Sequence, residues 1–292
     1  MREYVQLSQR KFKMRYLIAG AFSKSVPIIK FLSNQLVDNT QLVVYDGINK
    51  CRWNGGRINR SVYYNEGLME FYYSKGISIA LTMSNYKIDL TDELGNQLLE
   101  KFHRKGNALI IVNEDLRKYV RTHYPDYDLI YSITGMGLLN IPLQDSDIAF
   151  YKQLEQDYDW IVPRFEHIFD PRSNELDATK WEVMLNDTCV YGCKYWDQHF
   201  KAIADENTAG NPYSREVEEC WIPKFDYSKD SKHDCMDIKP DNMRRLIDMG
   251  VTSFKITGRE MDDNQYYGEL MRFINRSLTA QSKRSIMDDH ER

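Results

Sequence analysis

Between residues 15 and 256, short apolar runs alternate with stretches whose apolar positions recur at helical spacing. Arg15–Gly20 predicts a first strand, and Leu42–Gly47 a second, a near-continuous apolar run of the kind buried on both faces of a parallel sheet. Ile77–Thr82, Ala108–Val112, Leu129–Ile133, Trp160–Val162, Trp181–Leu185 and Val251–Ile256 follow as the third to eighth strands. The intervening segments predict helices over Ser25–Leu36, Ser61–Ser74, Leu116–Tyr124, Asp145–Tyr158 and Asn264–Leu278. A further helix opens at Thr91, which can cap it, with Asp92 and Glu93 suited to the positive end of its dipole. In the seventh strand Trp181, Val183 and Leu185 alternate with Glu182, Met184 and Asn186, and the polar run Asn186-Asp187-Thr188 breaks it.

Eight strands alternating with helices over about 250 residues predict a (β/α)8 TIM-like barrel, ahead of an open doubly wound sheet. No G-x-G-x-x-G follows the first strand, which argues against a dinucleotide site. Residues 1–292 read as a single barrel domain with polar tails at 1–13 and 280–292. Residues 200–240 interrupt the alternation before the last strand. They are polar, carry Gly210, Pro212, Pro223 and Pro240, and read as an excursion over one barrel mouth. Long loops of that kind are often functional, although a plain surface loop is the simpler reading.

Composition narrows the class. The 292 residues are 42% hydrophobic, enough for a substantial core. The net charge of −4 gives no bulk attraction to nucleic acid, so RNA is not indicated as a partner. Polar Arg2-Glu3 follows Met1, no apolar run approaches a membrane span, and the five cysteines are an odd number. A cytoplasmic protein without structural disulfides or a membrane anchor is expected.

The candidate chemistry collects where a barrel gathers the residues after each strand, at its C-terminal face. That face would hold Asp46, Cys51, Asn85, Asn113, Glu114, Arg164, Glu166, Asn186, Cys189, Cys193 and Arg259. Cys189-x3-Cys193 has a chelating interval, although two buried, reduced thiols are the plainer reading. Cys220 and Cys235 lie on the excursion that starts from the same rim, so four or five thiols would converge there. Four thiolates suit zinc or an iron–sulfur cluster, and one pair plus scattered ligands favours the cluster. Glu166 and His167 read equally as a solvated loop, His199 as a helix-surface residue, and Arg259 as a strand-end ion pair or an anion ligand. Met136 and Met184 read as core fillers.

Three motifs carry a resemblance. They are Val44-Tyr45-Asp46-Gly47 with Cys51-Arg52, Asn186-x2-Cys189-x3-Cys193 with His199, and Gly250-Val251-Thr252-Ser253-Phe254-Lys255-Ile256-Thr257-Gly258-Arg259. Together they resemble the collagenase-like U32 peptidase family, the last being the most specific. The resemblance implies a barrel bearing a four-iron, four-sulfur cluster, in a family that includes oxygen-independent hydroxylases. Carried over, the ligands are Cys51, Cys189, Cys193 and Cys220, with Cys235 in reserve for the fourth. Glu114, Arg164, Glu166 and Arg259 would position a small polar or anionic substrate. The alternatives are a metal-assisted peptidase and a non-enzymatic cluster scaffold that assists a partner subunit. The absence of an H-E-x-x-H motif and of an evident Ser–His–Asp order lowers the peptidase reading.

Overall fold

The computed structural model of the chain describes residues 14–24, 40–56, 62–210, 235–259 and 261–274. Its strands in chain order are β1 (Met14–Ala19), β2 (Thr40–Asp46), β3 (Ser78–Met83), β4 (Ala108–Ile111), β5 (Asp128–Tyr131), β6 (Trp160–Ile161), β7 (Glu182–Met184), β8 (Asn186–Val190), β9 (Cys235–Asp237) and β10 (Ser253–Ile256). Eight of them form one sheet in the order β6-β5-β4-β3-β2-β1-β10-β7, with every neighbour parallel. A parallel bridge from Ile161 to Trp181 brings the two edges together, and the ring closes as a (β/α)8 barrel. The helices are α1 (Glu66–Ser74), α2 (Glu93–Phe102), α3 (Glu114–His123), α4 (Asp145–Asp157), α5 (Trp196–Ala209), α6 (Pro240–Asp248) and α7 (residues 263–274).

The caps explain where the helices start. Asn65 accepts from the Leu68 amide at 2.9 Å, so α1 opens well after the predicted Ser61. Asp92, not Thr91, caps α2, accepting from Gly95 N at 2.8 Å; Thr91 instead bonds Asp89. The predicted helix over Ser25–Leu36 and both predicted tails lie outside the described residues.

Two stretches differ from expectation. Asn186-Asp187-Thr188 does not end the strand run: the chain continues as β8, which pairs antiparallel with β9 in a separate ribbon. The region read as a loop from residue 200 begins as helix α5, closed by Gly210 in the left-handed conformation. Residues 211–234, which include Cys220, lie outside the described residues. No helix among the described residues is long and apolar enough to cross a membrane.

The barrel interior is not purely apolar. Register places Arg15 beside Ser253 and Ser253 beside Glu182, one level below Leu17, Lys255 and Met184. Trp181, Val183 and Leu185 are fully buried, and so is Glu182, on the opposite face of the same strand. A barrel strand is covered on both sides, so its polar alternation points to the axis and not to water. There Arg15 and Glu182 form an ion pair, Arg15 also donates to Ser253 Oγ at 3.1 Å, and its guanidinium lies 5.0 Å from the Trp160 ring centre.

Candidate functional site at the barrel mouth

A pocket of about 180 Å3 opens where the strands end. Its floor and walls come from inward-facing residues of successive strands: Tyr45 on β2, Thr82 on β3, Ile110 on β4, Met184 on β7 and Lys255 on β10. Ser84, Ser132 and Thr257 add hydroxyls just beyond the strand ends. Asp187 and Cys189 enter from β8, Gly258 and Arg259 from the loop after β10, and Trp196, His199, Phe200 and Ile203 from α5. Met184, expected as a core filler, is buried and also lines this pocket; Met136 is fully buried.

Side-chain amides hold α5 over the mouth. Asn207 donates to the carbonyls of Asn54 and Gly56, each at 3.0 Å. Asn85, wholly buried, reaches Arg52 O at 2.9 Å and Ala204 O at 3.0 Å. Gly55 is required for this approach, because a Cβ there would fall 1.8 Å from the Ser84 carbonyl oxygen. Gly258 is likewise constrained: its φ is 144°, and a Cβ would meet the Tyr266 ring at 2.4 Å. Asn186 fixes the same loop by accepting from Thr257 N at 2.8 Å and donating to Thr257 O at 3.2 Å.

Two cations lie on the pocket wall. Lys255 is buried, its Nζ 4.0 Å from Glu182 Oε1 and 4.6 Å from the centre of the Tyr45 ring. Burial pushes its ammonium down to about 8, with Glu182 opposing the shift and Arg259 and Arg15 adding to it. Arg259 lies 3.6 Å from Asp46 Oδ1, and its guanidinium is 5.8 Å from the Tyr45 ring centre. Asp46 also accepts from Phe22 N at 3.2 Å and Ser23 Oγ at 3.0 Å.

The other predicted residues divide. Arg164 and Glu166 form a buried pair at 3.0 Å and do not line the pocket. Glu166 accepts from Gly192 N at 2.7 Å, and Arg164 lies 5.6 Å from the Trp196 ring centre. They set the turn between Cys189 and Cys193 and the start of α5, so Glu166 is not a solvated loop acid. His167 is buried too, bonded to Tyr151 Oη at 3.0 Å and Asn140 O at 2.8 Å, and burial pushes its pKa down. Glu114 stays on α3, half-exposed and bonded to Arg117 at 2.6 Å, which holds its carboxyl below the usual range. Asn113 caps that helix at 2.9 Å from Leu116 N. Neither reaches the pocket.

The cysteines divide as well. Cys189 is on the pocket wall and Cys193 is half-buried. Cys51 is 2% exposed in the turn after β2, and burial pushes its thiol up to about 12, an environment that favours the neutral form. Cys235 opens β9, its backbone paired with Val190. Among the described residues no three His, Cys, Asp or Glu side chains are disposed to hold one metal ion, so they do not by themselves supply the four-thiolate set of a cluster or of zinc.

Sequence reading named Arg259, Cys189 and His199 but gave Lys255 no role of its own. Its signal was present: Ser253 and Lys255 alternate with Phe254 and Ile256 in a strand that a barrel buries on both faces.

No protein-family model matches the chain, and no curated protein matches its sequence. Among solved structures, that of the U32 peptidase Mk0906 is similar over 84% of this chain and 93% of its own, with a TM-score of 0.53 and 9% sequence identity. At that identity the likeness is one of fold: the chain has a U32-peptidase-like (β/α)8 barrel.

Proposed function

We propose that the chain is an enzyme whose active site is the barrel-mouth pocket and whose substrate is a small polar or anionic molecule. The observation that carries this reading is the pair Lys255 and Arg259 on the wall of one pocket at the strand ends. Arg259 would hold the anionic group, its planar fork suited to carboxylate or phosphate. The surrounding hydroxyls would orient the rest of the molecule, and Asp187 and His199 would exchange protons with it. Arg164 and Glu166 act as positioning residues through Trp196 and the Gly192 turn. Calorimetric titration with a panel of small carboxylates and phosphates tests this reading. At least one should bind, and Arg259→Ala should weaken it by roughly tenfold, about one charge-assisted hydrogen bond. A panel that gives no binding would overturn it.

The finer form, iron–sulfur-dependent and oxygen-independent hydroxylation, rests on the sequence resemblance and on Cys189 at the pocket wall. Its ligands would be Cys51, Cys189, Cys193 and Cys220. Iron assay and an absorption spectrum after anaerobic purification decide it: iron-free protein that still binds the anion loses the cluster and keeps the substrate class. A peptidase is the second reading, supported by a thiol, an imidazole and a carboxylate that all line the pocket, Cys189, His199 and Asp187.

A further inference from the structure

We infer that Lys255 captures a small anionic carbonyl compound as a Schiff base, while Arg259 holds its anionic group. The inference rests on the small-anion reading of the mouth and adds the carbonyl and the covalent step.

Arg15 on β1 and Lys255 on β10 are both buried in the barrel, and one fully buried carboxylate, Glu182 on β7, lies between them. Arg15 takes Glu182 Oε2 in a direct hydrogen bond, whereas Lys255 Nζ stands 4.0 Å from Oε1, too far for one. Glu182 Oε1 has no hydrogen-bond partner among the described residues. Lys255 is therefore the surplus cation of the interior. Tyr45 faces it from β2, Asp187 lies nearby on β8, and the Arg259 guanidinium from the following loop opposes its charge. Burial and the Arg259 and Arg15 charges lower the cost of the neutral amine, the form that attacks a carbonyl, against the opposing pull of Glu182 and Asp187. A purely structural counter-ion for Glu182 would sit in hydrogen-bond contact with it and need not line a pocket; Lys255 lines one.

The step balances without an oxidant or reductant. The Nζ lone pair bonds to the carbonyl carbon, and both N–H protons leave with the carbonyl oxygen as water. The resulting imine takes up one proton to become the iminium. Glu182 Oε1, 4.0 Å from Nζ, is out of direct hydrogen-bond reach and could exchange protons with it only through one intervening water. Arg259, four residues beyond Lys255 and on the same wall, supplies the charge that selects an anionic carbonyl compound over a neutral one.

The test uses the full chain incubated separately with pyruvate and with dihydroxyacetone phosphate, each with cyanoborohydride, followed by intact-mass measurement and peptide mapping. One adduct per chain on the peptide carrying Lys255 is expected. The probe that labels at lower concentration identifies carboxylate or phosphate as the preferred group. Arg259→Ala should lower labelling by that probe roughly tenfold and leave labelling by neutral acetone unchanged. Lys255→Arg, with its fold checked by circular dichroism, should carry no adduct there. If that variant does not fold, the wild-type peptide map decides alone. Adducts scattered over surface lysines, with none on Lys255, would overturn the inference. Calorimetry without hydride separates the two levels: anion binding that needs Arg259, with no adduct, sinks the Schiff base and leaves the small-anion site. Neither binding nor adduct sinks both.

Discussion

The floor and the mouth of the barrel each hold a buried cation, and the two are kept in different ways. At the floor, Arg15 is paired with Glu182, bonded to Ser253 and stacked against Trp160. One level up, Lys255 shares the same carboxylate at longer range and faces a pocket. Arginine keeps its charge in essentially any protein environment, whereas a buried lysine gives up its proton readily. The floor thus has the makings of a fixed charge and the mouth of an adjustable one. What separates them is not burial, which is nearly equal, but which of them the single carboxylate satisfies.

The largest effect should come from removing that carboxylate. Glu182→Gln leaves two buried cations without the carboxylate that lies between them. Breaking a buried pair by removing one partner costs about 3–5 kcal/mol. Urea unfolding should show a loss of that order, with the pocket disordered before the rest. An unchanged midpoint would mean that the interior is wet enough to screen both cations, and the contrast between floor and mouth would collapse.

The next effect has a sign fixed by linkage. The folded-state value of Lys255, about 8, lies below the ordinary lysine value of 10.5. Between those two values the unfolded chain binds the extra proton, so stability should rise with pH across that window. Below it the burial penalty is present in full. Each tenfold loss of proton affinity on folding corresponds to about 1.4 kcal/mol, so Lys255→Met, which removes the penalty, should stabilise the protein at pH 7 by up to about 3 kcal/mol. The variant should also lose the rise above pH 8. Thermal unfolding of both proteins across that range checks this, and parallel curves would remove Lys255 as the titrating group.

The same contrast shows what could be read from the sequence. The eight strands were legible because strands buried on both faces appear as continuous apolar runs, as in Leu42–Val44 and Ala108–Ile111. The interior charges were less so. Glu182 and Lys255 alternate with apolar neighbours, which suggests a solvent face until the closure of the barrel is known. Helix α5 was hidden for a related reason. Its buried stripe of Trp196, Ile203, Ala204 and Asn207 includes an asparagine whose work is to bond the loop after β2. Arg259, Cys189 and His199, which line the pocket, could be singled out in the sequence because they follow strand ends or the cysteine pair. Cys51 follows a strand end too, but its turn folds inward beneath Trp53 and Asn54, and no periodicity reports that.

Glu114 provides the smallest effect and the sharpest control. Its place after the fourth strand groups it with Arg164, Glu166 and Arg259, yet strand-end position is shared by residues that face the axis and residues that begin the next helix. Glu114 begins α3, capped by Asn113, and its carboxylate is taken up by Arg117 and Lys118 on the same helix. Those are half-exposed pairs one turn apart, each worth no more than about 0.5 kcal/mol once solvent screening is counted. Glu114→Ala should therefore shift the urea midpoint barely beyond error and leave anion binding and Lys255 labelling at wild-type levels. Arg259→Ala in the same assays should lower both. If Glu114→Ala also lowered either one, α3 would be coupled to the mouth by a route other than contact, and the division of the rim residues by the direction they face would have to be redrawn.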